Sequence, residues 1–173
     1  MAQESTNYGL AIRWTAALAE MTPTLAIPSE ERVALTKAWR EKIVSMLKEV
    51  PQLDYFEDIH TDMSLICDSI VSFRIRKVED PSKFYNKAEL VKVFKAMTED
   101  RSENFPNDQD ISSRKCFIGQ PVKINKDEGV LRIALGSDSL RQLQQDFDET
   151  LKTDGMIVEK LGFLAAHYND LSK

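Results

Sequence analysis

Residues 115–136, KCFIGQPVKINKDEGVLRIALG, read as two short strands joined by a polar turn. In the second strand Leu131, Ile133 and Leu135 fall on one face and Val130, Arg132 and Ala134 on the other, because side chains alternate across a pleated strand. Arg132 therefore shares its face with apolar groups. A guanidinium keeps its proton and presents a planar fork of donors, so it is costly there unless a carboxylate or phosphate meets it. Two readings of that anion are open: a carboxylate of this same chain, for example from the 140–150 helix, or a ligand. Gln120 is a second candidate contact, since the GQP turn is rigid and its amide can point into a cleft, with a plain turn role as the default beside it.

Upstream, residues 64–78 (SLICDSIVSFRIRKV) contain the clearest strand, in which Val71, Phe73 and Ile75 alternate with Ser72, Arg74 and Arg76. One face is buried, and Arg74 and Arg76 read as a solvated one. A helix starts at Asn86, with Glu89 three positions on in the manner of a capping box and an apolar face of Leu90, Val93, Phe94 and Met97. The polar, Pro-interrupted segment Thr98 to Arg114 reads as a long exposed loop. Beyond the strand pair, Ser137, Asp138 and Ser139 offer an N-cap for a helix with Leu143, Phe147 and Leu151 as its stripe. Gly155 is expected to break it, and a last helix carries Ile157, Leu161, Leu164 and Tyr168.

The first third of the chain is helical. Residues 8–21 place Leu10, Trp14, Leu18 and Met21 at helical spacing, and Pro23 and Pro28 end that helix in an extended link. A second helix starts at Ser29, runs through Leu35, Trp39, Ile43, Met46, Leu47 and Val50, and ends at Pro51. Trp14 and Trp39 read as core residues, since an apolar helical stripe must be buried somewhere. Residues 52–63 (QLDYFEDIHTDM) read as a solvated loop leading into a strand; Asp54, Glu57, Asp58, His60 and Asp62 match no standard metal spacing, and no metal site is expected. The whole is an α+β chain: residues 1–63 form a two-helix lead-in, and 64–173 a small domain with a mainly antiparallel sheet of about three strands and helices on one face.

At 173 residues with 42% hydrophobic and 29% charged content, one folded domain is the expectation. A net charge of −5 without a basic stripe argues against a nucleic-acid binder. Cys67 and Cys116 make neither a disulfide framework nor a zinc site, no apolar run reaches the length of a membrane span, and a cytoplasmic protein is expected. Phosphate-binding glycine loops, nucleophile elbows and zincin motifs are missing from the sequence. A nucleophilic pair of Cys67 or Cys116 with His60 or His167 would need cysteines that instead lie in apolar strand segments.

The run SIVSFRI, a short helix, then KCFIGQPVKI, VLRIALGS and a closing helix resembles the C-terminal small domain of fold-type-I pyridoxal-phosphate (PLP) enzymes, of the class V aminotransferase type and related decarboxylases. The resemblance implies that Arg132 grips the substrate α-carboxylate and that the helices at 8–21 and 29–50 lead over from a large cofactor domain; Gln120, from its place in the GQP turn, stands beside it as the second substrate-binding candidate. No lysine here follows a Ser/Thr-His pair as the family's aldimine lysine does. No catalytic or cofactor-binding residue is therefore assigned; PLP would be bound only if a large domain completed the site, and the expected partner is a cofactor-bearing large domain or a homo-oligomer. The alternative is a non-catalytic α+β module that binds a partner protein or a small anionic metabolite.

Overall fold

A computed structural model describes residues 26–55, 69–98, 116–135 and 137–172. The expected helix at 8–21 with Trp14, the stretch 56–63 with His60, Cys67 and nearly all of the 98–114 loop lie outside the described residues.

Helix α1 (Ser29–Glu49) carries Glu30 and Glu31 in its first turn and Lys48 in its last, each favourable to the helix dipole. Ser29 is its first helical residue rather than its cap; Pro28 holds the cap position and makes no side-chain cap hydrogen bond. Strand β1 (Leu53–Tyr55) comes directly after it, where the sequence suggested only a loop. It forms because Leu53 and Tyr55 alternate with Asp54, and Asp54 comes to lie opposite Arg74 of the next strand, which offsets its charge. Strand β2 (Ile70–Ile75) leads into α2 (Lys87–Thr98). The expected capping box is present: Asn86 Oδ1 accepts from the Glu89 amide at 3.1 Å, and Glu89 Oε2 accepts from the Asn86 amide at 2.8 Å.

Strands β3 (Cys116–Lys123) and β4 (Gly129–Leu135) form the expected hairpin. The GQP segment lies inside β3 and is not a turn: the register shifts between Gly119 and Val122, so Gln120 and Pro121 together oppose Leu131. Pro121 is tolerated because β3 is an edge strand and the proline falls in the bulge. The sheet has four strands in the order β1-β2-β4-β3, every pair antiparallel. β2 and β3 thus run parallel with β4 between them, a split β-α-β arrangement closed by α2.

Helix α3 (Ser137–Gln145) is succeeded by α4 (Phe147–Ala166) and a 3-10 turn (Tyr168–Ser172). The helix break falls at Asp146, whose Oδ1 accepts from the Glu149 amide at 3.2 Å, and not at Gly155 as expected. Gly155 lies within α4 because of what it faces. A Cβ there would come within 3.2 Å of Met46 Sδ, and one at Gly162 within 2.7 Å of Val50 Cγ1. Two glycines seven residues apart let α4 approach α1 closely, and the packing outweighs the roughly 1 kcal/mol that a helical glycine costs. Across that contact the buried Trp39 Nε1–H donates to the buried Asp154 Oδ2 at 2.9 Å.

One core serves the whole of this structure. Trp39, Ile43 and Leu47 of α1 join Val71, Phe73, Ile75, Leu131 and Ile133 of the sheet, Leu90 and Val93 of α2, and Leu161 of α4. Burying each such side chain is worth roughly 1.5–3 kcal/mol. The lead-in helix and the small domain thus share their interior. The chain end docks on it too: the Tyr168 ring stacks on Tyr85 with centroids 3.9 Å apart, and its hydroxyl donates to the Glu89 carbonyl at 3.2 Å. Burial, with the Glu89 carboxylate adding to it, pushes the Tyr168 phenol up to about 12.

Candidate anion-binding site

Alternation along the strands leaves the core on one side of the sheet and a row of arginines on the other. Val71, Phe73, Ile75, Leu131 and Ile133 face the helices. Ser72, Arg74, Val130 and Arg132 take the second face, with Glu128 just before β4 in the same phase. Arg132 stands in register with Ser72 of β2 on one side and Gly119 of β3 on the other.

Arg74 and Arg76 are not a solvated pair. Arg74 Nη2–H and Nε–H both donate to Asp54 Oδ2, at 2.6 and 3.1 Å, and Nη1–H reaches Glu128 Oε2 at 3.4 Å. Arg76 Nη2–H donates to the other oxygen of Asp54, and the Arg74 guanidinium lies 3.8 Å from the centroid of the Phe84 ring. With side-chain exposures of 17% for Arg74 and 16% for Asp54, these are half-desolvated pairs, stronger than pairs in open water. Asp54, one of the acids considered for a metal, is thus occupied by two guanidiniums. Among the described residues no group of three or more His, Cys, Asp or Glu side chains could hold a metal ion.

Arg132 has a different environment. Its side chain is half-buried, its Nε is buried without a hydrogen-bond partner, and no carboxylate among the described residues pairs with it. In the 140–150 stretch, suggested as a source of an internal partner, Asp146 caps α4 and Glu149 pairs with Lys152. Glu128 is four residues along β4, about 13 Å between α-carbons, and bonds Arg74 and Asn125 instead. An N–H buried without an acceptor costs about 1–3 kcal/mol. What the arrangement offers chemically is an always-charged donor fork with one buried N–H unmatched.

Gln120 is exposed, one residue beyond Gly119, and no hydrogen bond among the described residues ties it to Arg132. Sequence reasoning missed Gly119, Asp54 and Glu128. Only the isolated glycine in a strand pattern signalled a close backbone approach. His167 lies at the end of α4 with Nδ1 2.9 Å from the Phe163 carbonyl oxygen and its ring stacked on Phe163, so it serves its own helix.

PLP, implied by the resemblance, needs a shielded lysine for its aldehyde close to the carboxylate clamp. Among the described residues the one buried lysine, Lys160, is on α4 in the helical layer and not on the arginine face. The described residues do not fit the cofactor, and the site's chemistry is that of the guanidinium alone. No helix among the described residues is long and apolar enough to cross a membrane. No family model, curated protein or solved structure matches the chain.

Proposed function

We propose that this chain is the small-domain portion of a PLP-dependent amino-acid transferase or decarboxylase, and that its part in the reaction is to hold the substrate carboxylate on Arg132. The observation that carries the reading is a half-buried guanidinium whose Nε has no partner, on a face where Asp54 and Glu128 serve other arginines. The split β-α-β sheet and the IVSFRI and VLRIAL strands agree with it. Arg132 binds and orients the acid, which is where a protein contributes when a cofactor carries the electrons. The cofactor itself comes from a large domain outside the described residues.

The test has two arms. Titrating the chain with L-alanine or pyruvate is expected to shift the Arg132 Nε–H resonance and to leave an Arg132→Met variant silent. Adding PLP alone is expected to give no aldimine absorbance band, and a clear band would overturn the proposed division of labour.

A second reading, a free-standing module for small carboxylates, draws on the α1 stripe. Trp39, Ile43 and Leu47 are fully buried within this chain and do not await a large domain. Light scattering separates the two: a monomer at high concentration favours the module, and self-association or capture by a cofactor-bearing chain favours the enzyme portion.

A further inference from the structure

We infer that the 3-10 turn Tyr168–Ser172 is a releasable strap, and that its anchoring ring, Tyr168, holds closed the joint where β2, α2 and β4 meet. The inference stands apart from the carboxylate-binding reading of Arg132 and concerns how the fold opens.

The joint is built around Tyr85, a buried residue. Its N–H donates to the Ile75 carbonyl at the end of β2, and its own carbonyl accepts from the N–H of Gly129, the first residue of β4, each at 3.0 Å. Its phenol oxygen accepts from the Val78 amide at 3.3 Å. The next residue, Asn86, opens the capping box with Glu89, and Glu89 Oε1 also accepts from Lys77 Nζ at 2.6 Å. β4 is pressed against the same helix start: a Cβ on Gly129 would come within 2.7 Å of the Lys87 nitrogen and 3.0 Å of the Asn86 carbonyl carbon. Backbone packed this closely has no slack, so a shift of any one of the three ends displaces the others.

The strap meets this joint through Tyr168. The ring stacks on Tyr85 with 3.9 Å between centroids and 25° between planes, and the hydroxyl donates to the Glu89 carbonyl at 3.2 Å. Tyr168 is buried and Leu171 half-buried, whereas Asn169 and Asp170 are exposed. One stacked ring, one neutral hydrogen bond and part of a leucine are a small share of what holds a domain together. The helix before the strap is fastened independently: α4 packs Gly155 and Gly162 on α1, Asp154 accepts from Trp39, and the helix closes at His167, whose N–H donates to the Phe163 carbonyl. The turn can therefore lift while α4 stays, and its departure takes the stacked ring from Tyr85 and the donor from the Glu89 carbonyl. Segments held by few buried contacts open well before the core does.

The experiment is native-state hydrogen exchange on the full chain at a series of low urea concentrations. In the native chain the amides of Val78, Gly129 and Asp170 are expected to exchange through one shared opening, about tenfold or more faster than the slowest amides of β2 and β4, and with a weaker urea dependence because less surface is exposed. Tyr168→Ala removes ring and hydroxyl and is expected to speed exchange at Val78 and Gly129 about tenfold, although both amides are bonded to Tyr85 and not to residue 168. Tyr168→Phe keeps the stack and is expected to speed them less. Val78 and Gly129 exchanging in the native chain as slowly as the central strands, with the same urea dependence, would show that the joint has no opening of its own and overturn the inference. Faster exchange at Asp170 with Val78 and Gly129 unchanged in the variants would show that the turn frays alone, and would overturn it as well. Should Tyr168→Ala fail to fold, the native pattern and Tyr168→Phe decide between the same outcomes.

Discussion

Arg74 and Arg132 stand on the same face of adjacent strands, both half-buried, yet among the described residues only Arg74 has its charge answered by carboxylates. Arg74 meets Asp54 and Glu128 and rests on Phe84; Arg132 lies against a glycine with its Nε unpaired. The contrast separates two uses of one residue type. Where carboxylates are supplied, arginine ties strands together; where none stands among the described residues, its buried N–H costs stability.

The sharpest way to break this comparison is to remove the acid that two arginines share. Asp54→Ala leaves Arg74 and Arg76 without their common partner and is expected to lower stability by about 2 kcal/mol, less than for a fully buried pair because the group is partly solvated. Urea denaturation measures it, and a loss within the range of exposed surface pairs would show the network to be incidental. Next in size, Arg132→Met replaces an unmatched guanidinium with an apolar chain and is expected to raise stability by about 1 kcal/mol. A loss comparable to that of Asp54→Ala would mean that Arg132 has an internal partner after all.

The smallest effect is a control remote from both arginines. The Tyr168 phenol is held at about 12 when folded, against about 10 when unfolded. Between those values the folded chain keeps a proton that the unfolded chain has lost, so its contribution is complete below pH 10 and is lost as pH rises toward 12. Tyr168→Phe is expected to shallow the alkaline limb of a stability profile and to leave acid binding unchanged. An unaltered limb would show that the phenol ionises freely.

Much of this was legible in the residues. Alternation assigned Arg132 to the face opposite Leu131 and Ile133, and the Asn86/Glu89 box marked the start of α2, because both are local patterns. The misreadings came from partners distant in sequence. Gly155 looked like a helix break because nothing local places Met46 against it, while the true break carried its own local signal in Asp146 three residues before Glu149. β1 was obscure because its acid is answered by an arginine 20 residues away, and Glu128 finds Arg74 from 54 residues away. Whether Arg132 was spoken for depended on those assignments, which no local pattern encodes.

The strand order has a consequence for biosynthesis. β4, the strand between β2 and β3, is the last of the four to leave the ribosome, so β2 and β3 emerge with no neighbour to separate and join them. Until Leu135 has cleared the exit tunnel, both nascent segments present bare amide and carbonyl rows to whatever is nearby. Chains stalled before Gly129 should therefore cling to chaperones or to each other, and release of the final hairpin arm should pair the facing rows of β2 and β3 in one step.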